Sequence, residues 1–350
     1  MQKSLNEQKC PTCGAPLRFD PESGKSVCDW CGASFDIPTE NDETLEEQTE
    51  SDAHENYEGI PVYNCVSCGA ELVADPVAAS LTCPYCGNNI VLTEKVSGGL
   101  RPDGIIPFKI DKKHLPEAVQ RFYKDRQLLP RKFFTESSIV DLCGVYVPFW
   151  LYNCHYSGPV YYEGYKDSAV REGDYIVTTR SYYDVQRDIS MDFKDIPVDA
   201  SSRLDDALMD SLEPFLPEDI VPFQMSYLSG FFAERFDKDS EEVRERATQR
   251  MLNSALSIAD SNANSGGYTG ITNKGNELSA SPIDAKYVLL PVYTFNVDYK
   301  GERYTFAMNG ETGKVVGEVP TDKGVSLAHR WGVFAALFAI ALLLIHLFSC

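Results

Sequence analysis

The segment CPTCGAPLRFDPESGKSVCDWCGASF, from Cys10 to Phe35, decides how the first part of the chain folds. Its pattern returns in CVSCGAELVADPVAASLTCPYCGNNI, from Cys65 to Ile90, with every cysteine 55 positions later. Each copy contains two C-x2-C pairs separated by 14 residues, and a glycine follows the second cysteine of each pair. The eight cysteines are Cys10, Cys13, Cys28, Cys31, Cys65, Cys68, Cys83 and Cys86.

This spacing predicts two metal-binding ribbons. Thiolates on a tight C-x2-C turn converge on one centre, and glycine lets the backbone turn sharply and aim N–H groups at sulfur. Four thiolates in a tetrahedral array suit Zn²⁺ and leave no open position, so we expect two structural zinc ions. Iron stays open as an alternative, because CPYCG fits a rubredoxin-type centre equally well. Disulfides are not expected of close-set pairs in a chain whose N-terminus has no apolar signal segment.

The charge of the chain favours protein partners over nucleic acid. It has 52 acidic and 32 basic residues, a formal net charge of −20, which repels polyanions. Residues 60–93 of the second ribbon contain no Lys or Arg, whereas phosphate recognition requires them. We therefore expect the ribbons to be docking heads for proteins. A membrane-tethered nucleic-acid regulator remains the alternative.

The C-terminal segment WGVFAALFAIALLLIHLFSC, residues 331–350, contains no Asp, Glu, Lys or Arg. Its length and apolarity predict a single transmembrane anchor. Lys323 and Arg330 precede the segment and no charged residue follows it. By the positive-inside rule, the bulk of the chain is expected in the cytoplasm, at the cell membrane.

The predicted fold class is a multidomain chain with an α+β domain between the ribbons and the anchor. Within that domain, IIPF at 105–108 recurs as IVPF at 220–223, and PFWLYNCHYSG at 148–158 resembles PVYTFNVDYKG at 291–301. These matches predict an internal duplication. The predicted boundaries are 8–37 for zinc ribbon 1, 38–59 for an acidic linker, 60–95 for zinc ribbon 2, 105–320 for the duplicated α+β domain and 331–350 for the anchor.

Two further patterns predict local structure. GPVYYEGYKDSAVREGDYIVTTRSYYDV, at 158–185, combines Tyr, Val and Thr with Gly and Asp turns, which suits antiparallel strands. Its tyrosines predict a half-exposed aromatic face, with a protein-binding face as the alternative. Farther along the chain, Asp239 precedes Glu242 by three positions, which predicts a capping box at the start of a helix.

No enzyme is predicted. The sequence contains no H-E-x-x-H, no G-x-S-x-G and no nucleotide-binding fingerprint. Cys143 and Cys154 could form a thiol site with His155. Free cysteines are, however, among the most buried residue types, so a core role is favoured for both.

The chain resembles bacterial membrane proteins with paired zinc ribbons of the transcription-factor-IIB type. The resemblance rests on the two ribbons, on GIIPFKI at 104–110 and on GVYVPFWLY at 144–152. It implies a membrane-associated adaptor that accompanies flotillin-like and phage-shock-protein-A-like proteins in a membrane-stress complex. Only the eight ribbon cysteines match functional residues of that family.

Overall fold

The computed structural model describes residues 10–15, 17–37, 56–57, 60–64, 69, 71–73, 91–96, 99–124, 133, 139–281 and 283–319. These residues are mostly β-structure. The strands are β1 Arg18–Asp20, β2 Lys25–Val27, β3 Ser34–Phe35, β4 Asn56–Tyr57, β5 Ile60–Asn64, β6 Glu71–Val73, β7 Val91–Val96, β8 Gly99–Leu100, β9 Gly104–Ile105, β10 Ile139–Glu172, β11 Tyr175–Asp199, β12 Val221–Pro222, β13 Phe232–Glu234, β14 Gly270–Asn276, β15 Ser279–Ala280, β16 Asp284–Tyr299, β17 Glu302–Asn309 and β18 Val315–Gly317. The α-helices are α1 Leu115–Lys124, α2 Asp206–Leu212 and α3 Ser240–Asn264.

The described residues fall into two compact units. The first draws on residues 10–147, 203–235 and 289–319, and the second on 148–202 and 236–288. Strands β10 and β16 each contribute to both units. The chain therefore leaves the first unit and returns to it twice.

The first unit contains the first ribbon and an aromatic core. The ribbon is a three-stranded sheet in which β2 pairs antiparallel with β1 and β3. Strands β16, β17 and β18 form a meander, and the short strands β9 and β12 pair antiparallel. The core centres on Phe108, which stacks on Phe231 at 4.1 Å between ring centroids and meets Tyr146 edge-on at 4.9 Å. Tyr146 is fully buried, and its hydroxyl accepts a hydrogen bond from the Phe108 N–H.

The second unit is built on a long hairpin. Strands β10 and β11 pair antiparallel from Phe149, opposite Asp199, to Glu172, opposite Tyr175. Gly173 has a φ of +65°, which the two-residue turn between the strands requires. Strand β14 pairs with the other edge of β10, and α3 covers one face with a row of small side chains. The buried cluster between the hairpin and the helix includes Val160, Tyr162 and Val185 from the strands and Ala259 and Ala263 from α3.

The start of α3 is as predicted. The Asp239 carboxylate accepts hydrogen bonds from the Glu241 and Glu242 N–H groups, and the Glu242 carboxylate accepts one from the Asp239 N–H. The capping box is therefore confirmed. Val243, Ala247, Met251 and Ala255, one face of the predicted helix, are buried.

The predicted fold class is wrong. The region predicted as a duplicated α+β domain is dominated by strands, because the Tyr-, Val- and Thr-rich sequence of 139–199 forms two very long strands. The two short repeats IIPF and IVPF meet where β9 pairs with β12, Ile105 opposite Val221. Within the described residues, no helix is long and apolar enough to cross a membrane. The anchor predicted at 331–350 lies outside the described residues.

Candidate metal centre

Two tight turns bring the four cysteines of the first ribbon together. In the first turn the Gly14 N–H donates to the Cys10 carbonyl at 2.8 Å, and in the second the Gly32 N–H donates to the Cys28 carbonyl at 2.9 Å. The two glycines have φ values of +76° and +73°, in the left-handed region that a Cβ disfavours. The glycines of the sequence pattern therefore shape the turns, as predicted.

The sulfur positions fit a tetrahedral metal ion. The Cys10 and Cys31 Sγ atoms are 3.6 Å apart, and those of Cys13 and Cys28 are 3.5 Å apart. All four sulfurs lie within 4.8 Å of one another. A tetrahedral site with Zn–S bonds of about 2.3 Å requires sulfur separations of about 3.8 Å. The cluster can thus hold one zinc-like ion with no position left for water.

The protonation of the thiols also suits metal binding. Loss of solvation raises the pKa of Cys10, but hydrogen bonds from the backbone N–H groups of Cys13 and Thr12 and from the Cys31 and Cys13 thiols together outweigh it and bring the pKa to about 6. For Cys13 the backbone of Ala15 lowers the pKa, whereas loss of solvation and the neighbouring thiols raise it to about 12. Cys10 therefore ionises more readily than Cys13. Metal binding displaces the thiol protons, which makes it pH-dependent.

The ribbon packs against its own chain. Phe19, on β1, is 1% exposed, and its ring meets Tyr227 edge-on with centroids 5.4 Å apart. The Phe19 N–H donates to the Ser229 carbonyl at 3.0 Å. At the turn between β1 and β2, the Lys113 Nζ lies 2.6 Å from the Glu22 Oε1. One side of the ribbon is therefore docked within the first unit rather than free on a tether.

The second turn of the ribbon exposes a tryptophan, and the ribbon carries paired charges. Trp30, between Cys28 and Cys31 in the second turn, is 85% exposed. Arg18 pairs with Asp29 at 3.3 Å, and Lys25 pairs with Asp36 at 2.9 Å. None of the sequence patterns described above points to Trp30. The available signal was its position in a tight metal-binding turn, because such a turn has no room to bury a large apolar side chain.

The second predicted set of ligands lies outside the described residues. This holds for Cys65, Cys68, Cys83 and Cys86, so the structure brings together only the first four predicted ligands. Gly69, which follows Cys68, has a φ of +70°, close to the values of the matching glycines of the first ribbon. Strand β5 of this region pairs antiparallel with β6 and β7. The second site stays a prediction.

Cys143 and Cys154, the described thiols outside the ribbon, lie in different surroundings. Cys143 lies in the wall of a cavity of about 380 Å³ beside Arg18 and Tyr293, and burial raises its pKa to about 12. A thiol with such a pKa carries almost no thiolate at neutral pH. Cys154 is 6% exposed, and the neighbouring His155 pairs across the hairpin with Asp192 at 2.7 Å. Successive residues of a strand point to opposite faces, which separates Cys154 from the imidazole.

The fold and the site define a β-rich protein that carries a four-cysteine ribbon able to hold a metal ion. The chain is 35% identical, over 339 residues, to the uncharacterized protein YdjG of Bacillus subtilis (strain 168), and the match covers 97% of each chain. The chain therefore belongs to the same family as YdjG. No known protein-family profile matches the chain, and no solved structure does.

Proposed function

We propose that this protein is an adaptor that uses zinc ribbons to recruit or assemble other proteins. In this proposal each ribbon holds one structural Zn²⁺, two per chain, bound by Cys10, Cys13, Cys28 and Cys31 in the first and by Cys65, Cys68, Cys83 and Cys86 in the second. The observation that carries the proposal is Trp30, 85% exposed on a metal-binding turn. Tryptophan is enriched among the residues that dominate protein–protein binding energy.

The structure of the metal site supports a binding role rather than catalysis. A four-thiolate site has no open coordination position, so a bound ion would stabilise the ribbon without activating water. Phe19 packs the ribbon against Tyr227 of the first unit, which holds the turn that carries Trp30 in place. A rigid support lowers the entropy lost when a partner binds.

A nucleic-acid regulator is the weaker candidate. The basic side chains described in the first ribbon, Arg18 and Lys25, are each engaged by an aspartate. The net charge of −20 adds long-range repulsion of phosphate. Measuring DNA and RNA binding at two salt concentrations tests this alternative, because phosphate contacts weaken steeply as salt rises.

The family resemblance supplies the proposed partners. It implies flotillin-like and phage-shock-protein-A-like proteins at a membrane, in a stress response. The cell-membrane location with the bulk of the chain in the cytoplasm stays a prediction, as does the absence of enzymatic activity.

Binding to purified partners of these two classes tests the proposal. We expect the wild-type chain to bind at least one of them and Trp30→Ala to weaken that binding by about tenfold or more. Ile258→Ala is the matched control, since Ile258 is also an exposed apolar residue, 53% exposed, but lies on α3. Equal binding by wild type and Trp30→Ala would refute docking through this turn, and binding by neither partner class would refute the proposed partners.

A further inference from the structure

The outer part of the β10–β11 hairpin extends beyond the strands described beside it. Strand β14 accompanies β10 only as far as Tyr165, which lies opposite Gly270, whereas the hairpin continues to Glu172 and Tyr175. Large apolar side chains are exposed there: Tyr175 by 78%, Ile176 by 73% and Tyr182 by 65%. A two-stranded ribbon is only marginally stable in water. Exposed apolar residues on such a ribbon are typical of a surface that another chain covers.

The hairpin register determines which backbone groups of β11 point outward. Glu172 and Tyr175 close the two-residue turn, so this pair and every second pair after it exchange backbone hydrogen bonds. Between Tyr175 and Phe193, where the register is constant, the even-numbered residues of β11 therefore direct their N–H and C=O groups away from β10. Tyr165, which lies opposite Tyr182, likewise directs its backbone groups out of the hairpin on the β10 side. Its carbonyl accepts a hydrogen bond from the Thr269 N–H outside the hairpin. Among the described strands, only β10 pairs with β11.

We propose that this edge binds a second copy of the same chain, β11 against β11, antiparallel about a two-fold axis at Tyr182. In this register Tyr182 faces Tyr182 of the second copy, and Arg180 faces Asp184 of the second copy. Two-fold symmetry repeats that ion pair on the other side of the axis. An axis at residue 180 would place two arginines opposite each other, and an axis at 184 two aspartates, both unfavourable.

The charges of the hairpin allow two copies to approach. Between Tyr165 and Tyr183 the sequence carries three basic and three acidic residues, so this segment is neutral although the chain carries −20. Arg180 is already held in place by a two-pronged pair with Asp167, at 2.7 and 2.8 Å, and lies 3.9 Å above the centroid of the Tyr165 ring. A guanidinium held in this way loses little freedom when it meets a further carboxylate.

Sedimentation of the full chain in mild detergent, over a range of concentrations, tests the proposal. We expect a monomer–dimer equilibrium for the wild type. Asp184→Lys and Arg180→Glu, each alone, should raise the dimer dissociation constant about tenfold or more, because each opposes like charges. A one-to-one mixture of the two variants should dimerise again, since it pairs arginine with aspartate and lysine with glutamate. Glu172→Lys, with the same charge change on β10, one strand away from the proposed edge, should behave as wild type.

Cross-linking tests the register independently. Tyr182→Cys places two thiols directly opposite each other at the axis, at a separation that a disulfide spans. Oxidation with copper phenanthroline and oxygen should therefore give a disulfide-linked dimer joined at residue 182, located by peptide mass spectrometry. Thr178→Cys is the matched control and should not cross-link to itself, because residue 178 would face 186. A monomer at every concentration would overturn the proposal, as would a dimer that survives Asp184→Lys and is not cross-linked in the Tyr182→Cys variant.

Discussion

Phe19 of the first ribbon and Tyr227 of the segment before β13 meet edge to face, with ring centroids 5.4 Å apart. The Phe19 ring also lies 6.5 Å from that of Phe231, which stacks on Phe108 in the core of the first unit. The metal-binding ribbon is thereby continuous with the aromatic core. The stability of the first unit should therefore depend on the packing of the ribbon against the core.

Truncation of Phe19 tests this dependence. We expect Phe19→Ala to lower the free energy of unfolding of the first unit by about 3 to 5 kcal/mol, the usual cost of deleting a buried phenyl ring. The metal content should not change, because the four cysteines remain. Phe35→Ala, at a half-buried ribbon position, is the control and should cost less. Urea denaturation with parallel metal analysis measures both quantities, and loss of metal from Phe19→Ala would contradict the assignment of Phe19 to docking alone.

Counting the metal ions bound by cysteine variants tests the two ribbons separately. We expect two zinc ions per full chain, and one after Cys10→Ser with Cys13→Ser, since two thiolates cannot close a tetrahedral site. Cys65→Ser with Cys68→Ser should also leave one ion. Cys350→Ser, outside both ribbons, should leave two. Plasma emission spectroscopy counts the ions, and one zinc in the wild type would contradict the second site.

The second unit contains a buried ion pair. Asp199 is 1% exposed, and the Arg246 guanidinium on α3 donates to its carboxylate at 2.6 Å. Arg246→Met should destabilise the chain by about 3 to 5 kcal/mol, because it removes the cation that compensates a buried charge. Adding Asp199→Asn should recover a large part of that loss. If the double variant proves no more stable than Arg246→Met, the buried charge is not the cause.

Glu311 should make the first unit less stable as the pH rises. Burial raises the pKa of Glu311 to about 7, with a contribution from its hydrogen bond to Asp219. Because the folded pKa exceeds the ordinary glutamate value of 4.5, the stabilisation is complete below pH 4.5 and is lost as the pH rises to about 7. We expect a loss of about 1 to 3 kcal/mol across this window. Glu311→Gln should abolish that pH dependence.

Urea denaturation over the same pH window measures this effect as a change in the free energy of unfolding. In the wild type that free energy should fall as the pH rises from 4.5 to about 7. The exposed Glu318→Gln variant should show the same fall. A parallel profile in Glu311→Gln would rule out this carboxyl as the titrating group.

Some local structure was predictable from the sequence because its causes are short-range. The spacing of Cys10, Cys13, Cys28 and Cys31, with glycine after each pair, was sufficient to predict their convergence, which two turns produce. The capping box of Asp239 and Glu242 was equally local, since both partners lie within one helical turn. The prediction that eight cysteines bind metal is supported for the four cysteines of the first ribbon. The four cysteines of the second ribbon lie outside the described residues.

The predominance of strands and the docking of the ribbon were not predictable in the same way. A segment rich in Tyr, Val and Thr indicates strands, but their length depends on partners far along the chain, such as Gly270 beside Tyr165. Phe19 resembles any apolar strand residue until Tyr227, from a distant part of the chain, is brought beside it. The sequence by itself determined the metal-binding turns, the helix start and the acidic charge, because neighbours in the chain produce them. Only the tertiary structure decided which face of the ribbon is buried, with Trp30 left exposed. It also decided which edge of β11 has no partner among the described strands. Both features depend on contacts between segments that are distant in the sequence.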